Sequence, residues 1–157
     1  MTALFIFMLT AFTAYILFVV KKYGIQKSVS NSYYKLPENK RWIFTIALWS
    51  FAFPAIVLGV EHSGLAFLAG AGIMFVGAAP AFKLHKMEEQ VHVAGALAGV
   101  IGGIAFMLVT GLWQVALATL ALMGVVMLVP KLKENKTWWL ELAAFYGYAV
   151  AVGILNF

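Results

Sequence analysis

The sequence predicts an all-α membrane protein, a six-transmembrane-helix bundle forming one integral membrane domain over residues 1–157, with both termini outside. Three observations lead there. Of the 157 residues, 64% are hydrophobic and 11% charged, against about 25% charged in an ordinary soluble domain. One core of this size cannot bury so much apolar surface, so lipid is the fitting solvent. Six apolar segments recur along the chain, each near the ~20 residues that a helix needs to cross ~30 Å of hydrocarbon. Finally, all 11 Lys and Arg fall in only three of the connections.

The expected helices run over about 3–20, 42–60, 65–82, 91–110, 112–129 and 138–157. None alternates apolar and polar residues as an outer-membrane strand does. The first segment has no basic region before it and no Ala-x-Ala site after it, so it is expected to stay as a membrane helix rather than be cleaved as a signal peptide. The loop 21–41 carries Lys21, Lys22, Lys27, Lys35, Lys40 and Arg41; Lys83 and Lys86 follow the third helix, and Lys131, Lys133 and Lys136 the fifth. "EHSG", "TG" and both ends carry none. The positive-inside rule therefore places the three basic connections in the cytoplasm. The formal charge of +5 then reflects topology and anionic headgroups, not nucleic acid. Trp42, Trp138, Trp139 and Tyr23 mark the inner interface and Trp113 the outer one. "SVSNSYYKLPENKRW" in the long first loop has few markers of disorder and reads as an ordered cap on the membrane surface. The sequon-like "NKT" at Asn135 falls inside and carries no glycan.

Helix 4 reads "VHVAGALAGVIGGIAF", with Gly95, Gly99 and Gly103 recurring every fourth residue. Such small-residue spacing lets a neighbouring backbone approach closely. It predicts a tight hairpin with helix 3, or a homo-oligomer through the same face. Pro54 and Pro80 each remove a backbone hydrogen bond and invite a kink.

Chemistry is sparse. There is no cysteine and no aspartate, which excludes disulfides, iron–sulfur clusters and thiol catalysis. No phosphate loop, dinucleotide fingerprint or nucleophile elbow occurs. Polar residues in the spans are mostly Thr and Tyr, too few for a proton relay or an ion-coupled carrier. Ionisable groups gather on the cytoplasmic side, where Glu88, His92 and Glu141 are expected to share a polar layer with Ser28, Ser30, Ser32, Tyr33 and Tyr34. His92 points along the glycine stripe, with Glu141 as its expected partner. "KLHKMEEQVH" also has metal-like spacing: on one continuous helix His85, Glu89 and His92 would share a face and suit Zn²⁺. A chain turn near Met87 breaks that face, and the helix dipoles then account for Lys83, Lys86, Glu88 and Glu89. A break at Pro80 would leave helix 3 too short to span and is disfavoured. The preferred reading therefore has no cofactor.

"SVSNSYYKLP", "FAFPA", "GAAPAF" and "VHVAGA" together resemble small polytopic membrane proteins of bacteria and their phages, marked by an S-x-S-x-S-Y-Y-x-L-P loop. That group has no assigned function. The resemblance implies a multi-pass protein of the bacterial inner membrane. A histidine at a helix start beside small residues is also similar to ceramidase-like membrane hydrolases. Those use several histidines and an aspartate, so no catalytic role carries over. The expected function is a non-enzymatic, oligomeric binding or structural protein, whose partners are the bilayer and further copies of itself. A metal-dependent hydrolase and an oligomeric channel are the alternatives.

The topology is testable because the chain has no cysteine of its own. Single-cysteine variants Lys35→Cys and Lys133→Cys should react with a membrane-impermeant maleimide only from the cytoplasmic side, and Ser63→Cys only from outside. Labelling of Lys35→Cys on intact cells would reverse the assignment.

Overall fold

The computed structural model describes all residues from Met1 to Phe157. It is all-helical, with six α-helices: α1 Thr2–Tyr23, α2 Trp42–Gly59, α3 Leu65–Ala78, α4 Lys86–Val109, α5 Trp113–Leu128 and α6 Lys136–Asn156. Short 3₁₀ segments at Ser30–Lys35, Glu38–Lys40 and Pro130–Asn135 lie in the basic connections. Four helices, counting the turns that lead into α2 and α6, are long and apolar enough to cross a membrane; α3 and α5 are shorter apolar helices.

Helix α3 ends earlier than the sequence suggests. Pro80 biases the residue before it away from the helical region, and Ala79 leaves it at φ −114°, ψ 58°. Residues 80–84 turn, His85 is extended, and α4 starts at Lys86. The turn expected near Met87 is thus at Pro80, the alternative the length argument had disfavoured. Helix α3 keeps 14 residues while α4 has 24.

Only 43 of 157 residues are buried, although 64% are hydrophobic. Leu17, Phe53, Leu97, Ile101, Leu117 and Leu128 are among many large apolar side chains that face outward. Such an exterior fits a multi-pass membrane protein, for which hydrocarbon replaces water. The interior is aromatic. Phe12, Phe51 and Phe145 from α1, α2 and α6 meet with ring centroids 4.5–5.1 Å apart, near the short end of the favoured range for ring pairs. Side chains also bridge the helices. Trp49 Nε1 donates to Met74 O at 3.0 Å, Thr45 Oγ1 to Gly77 O at 2.8 Å, Tyr148 OH to Ala66 O at 3.2 Å, and Asn156 Nδ2 to Leu58 O at 3.1 Å. The hydroxyls of Thr13 and Tyr146 bond at 2.9 Å. Each ties a polar group that lipid could not satisfy.

Helices α3 and α4 form the most extensive pair. A Cβ added at Gly72 would lie 2.5 Å from both Gly95 O and Gly99 N, and one at Gly95 would lie 2.7 Å from Gly72 O. The two backbones therefore touch, which only glycine allows. Gly103 faces the Tyr148 ring of α6. The face of Gly95, Gly99 and Gly103, expected to serve a hairpin with helix 3 or an oligomer, packs on α3 and α6 of the same chain.

Gly72→Ala should destabilise the protein by about 1–3 kcal/mol, because backbone has no flexible end to move aside. Gly124→Ala, on an exposed part of α5 with no atom near the added carbon, should cost nothing. Thermal unfolding of both variants in one detergent checks the contrast.

Candidate functional site

The long first loop folds back into the end of the bundle. It leaves α1 at Gly24, whose φ of +74° is reached cheaply only by glycine. Val29 and Leu36 are 1% and 2% exposed, so the loop is anchored by its own apolar residues. Gln26 Nε2 donates to Tyr23 O at 2.8 Å, and Asn135 Nδ2 donates to Gln26 O at the same distance. Trp138 N–H donates to Lys27 O at 3.1 Å, joining the loop to the start of α6.

The three serines of "SVSNS" have separate tasks. Ser28 Oγ accepts from Asn31 N–H at 3.0 Å and from Asn31 Nδ2 at 2.6 Å, closing the first turn of the 3₁₀ segment. Ser32 Oγ donates to Val29 O at 2.5 Å. Its single proton being used, it accepts from Tyr15 OH of α1, also at 2.5 Å. Ser30 reaches His92 of α4, with Oγ 3.0 Å from Nε2.

The proton positions of that pair follow from their partners. His92 Nδ1 lies 3.0 Å from Ala79 O, which can only accept. Nδ1 therefore carries the hydrogen, a neutral ring leaves Nε2 as acceptor, and Ser30 donates to it. The imidazole also stacks on Phe82, centroids 4.2 Å apart. Ala79 offers its carbonyl because α3 has ended there. The chain break at Pro80 and the place of His92 are one arrangement.

Glu141, in the second turn of α6, accepts a hydrogen bond from Val29 N–H at its Oε2. Ser30 lies beside the same carboxylate, but its hydroxyl proton is committed to His92. Glu141 and His92, expected to pair directly, are thus linked through the loop, with Ser30 between them. The carboxylate borders a partly open cavity between α2, α3, α4, α6 and the loop. Val29, Leu48, Ile73, Val76, Phe145 and Tyr148 supply much of its wall. About 60 Å³ of it is open to water-sized molecules, room for a few waters.

The remaining candidates lie farther out. Glu88, in the first turn of α4, accepts from Ala81 N–H at 3.0 Å and braces the turn after Pro80. Tyr34 OH accepts from Lys83 N–H at 2.7 Å, and its ring meets Phe82 at 5.5 Å. Partial burial raises the Tyr34 phenol above its ordinary value, with the Lys83 amide opposing. Tyr33 packs on Phe44 and lies under the Arg41 guanidinium, 5.2 Å from ring centroid to Cζ. His85 and Glu89 are exposed while His92 is buried, so the proposed metal ligands do not converge. No group of three or more His, Cys, Asp or Glu side chains is placed to hold a metal ion.

Sequence reasoning named Ser30, His92 and Glu141 but missed Val29 N–H and Ala79 O. The only signal for Ala79 was the proline after it. No protein-family model, curated protein or solved structure matches the chain.

Ser30→Ala removes the donor to a buried ring nitrogen and should cost about 1–3 kcal/mol. Hydrogen exchange should show faster exchange across Ser30–Lys35, together with a lower melting temperature. Unchanged exchange there would mean that the loop holds without His92.

Proposed function

We propose that the chain is an integral membrane protein of the bacterial inner membrane that crosses it six times, with both termini outside. The placement of every Lys and Arg in three connections supports this. The short α3 and α5 end in turns that carry lysines, and lysines near helix ends let short spans adapt through snorkelling and local thinning of the bilayer.

We further propose that it is a non-enzymatic binding protein whose cytoplasmic polar layer closes a small ligand site. One observation carries this reading: Glu141 borders a partly open, mostly apolar cavity with no cation beside it. The chain's single salt bridge, Arg41 to Glu38 at 3.7 Å, lies elsewhere. A charged residue kept at membrane depth is costly and marks function by default. The few polar groups on apolar walls fit a binding pocket better than a packed core.

Native mass spectrometry of the full chain released from membranes tests it. The expected spectrum contains a small-molecule adduct, and Ala144→Phe, which fills the cavity, should remove it. Only bare protein from the unmodified chain, under the gentlest release conditions, would count against a ligand site.

A further inference from the structure

We infer that the cavity beneath the first loop is a site for a small organic ammonium ion, held by Glu141 and by the aromatic side chains that line it. This rests on the binding reading above and names the class of ligand.

The charge argument comes first. Glu141 accepts from the Val29 amide at Oε2 and has the amide and hydroxyl of Ser30 beside it. The nearest hydroxyl, on Ser30, gives its proton to His92, and His92 gives its own to Ala79 O. No Lys, Arg or His forms an ion pair with this carboxylate. A carboxylate taken from water without a counter-charge is strongly disfavoured. The chain supplies no cation here, and a cationic occupant would supply the counter-charge that keeps the buried carboxyl ionised.

The walls select the kind of cation. Phe145 and Tyr148 line the cavity, and aromatic faces attract ammonium groups, most strongly where water is excluded. Leu48, Ile73, Val76 and Val100 complete an apolar surface that suits alkyl carbon. A hard metal ion is poorly served, because it seeks six or more oxygen ligands and the cavity lining offers one carboxylate and two hydroxyls. The volume limits the occupant to a nitrogen with a few carbons, either a free amine or the head of a longer amphiphile.

The test uses the purified full chain in detergent, with n-butylammonium chloride as probe and n-butanol and sodium butyrate as controls. Melting is followed by the fluorescence of its five tryptophans. Butylammonium should raise the melting temperature saturably and the controls should not. Glu141→Gln should weaken the apparent affinity roughly tenfold or more, the loss expected when a hydrogen bond to a charged group becomes neutral. Should Glu141→Gln fail to fold, Gly99→Ala serves instead. It places a methyl on the cavity wall 3.3 Å from Ile73 Cγ1, and should weaken butylammonium more than methylammonium. Equal protection by butylammonium and butanol would overturn the ammonium assignment while leaving a ligand cavity in place. Protection by none of the probes, joined to a bare mass spectrum, would overturn both readings.

Discussion

The contact of two bare backbones, α3 against α4 at Gly72, Gly95 and Gly99, is the constraint on which the polar end of the molecule depends. Helices separated by ordinary side chains lie about 8–10 Å apart. Here a carbon added at Gly72 or Gly95 would strike the opposite backbone. Only with α3 so close can the ring of His92, one turn before Gly95, reach the carbonyl that the end of α3 leaves free at Ala79. That bond fixes the tautomer, the tautomer makes Nε2 an acceptor, and the acceptor holds Ser30. Packing in the apolar part of the bundle thus decides proton positions in the polar part.

Further out, each hydroxyl of the loop has one proton and one destination. Ser32 serves Val29 O, Tyr15 serves Ser32, and Ser30 serves His92. A network whose members are all committed is rigid. It leaves Glu141 as an ionisable group with no ion-pair partner in the chain, and that residue lines the cavity. The same accounting separates a fixed scaffold from the place where something else can enter.

The helical class was legible because composition and segment length are local properties. The stripe of Gly95, Gly99 and Gly103 announced close packing, and its periodicity could be read within one helix. Its partner could not, since an oligomer and a hairpin use the same spacing. Helix α3 was misjudged because span length was weighed above the local preference of the residue before Pro80, and the local preference won. Among site residues, Ser30, His92 and Glu141 were recognisable as polar groups in an apolar chain. Their order was not. Ser30 and His92 lie 62 positions apart, and Val29 and Glu141 lie 112 apart. No spacing rule connects them, and both Val29 N–H and Ala79 O are backbone groups that carry no residue signature.

Those separations also set an order of events during synthesis. The loop leaves the ribosome with α1, but the ring that anchors Ser30 arrives with α4 and the carboxylate that anchors Val29 arrives only with α6. Until then the Val29 amide must be satisfied by water, so the loop stays hydrated while four more helices are synthesised. The final helix closes the assembly. A chain cut short before Glu141 keeps five of its six helices and still lacks the floor of its cavity.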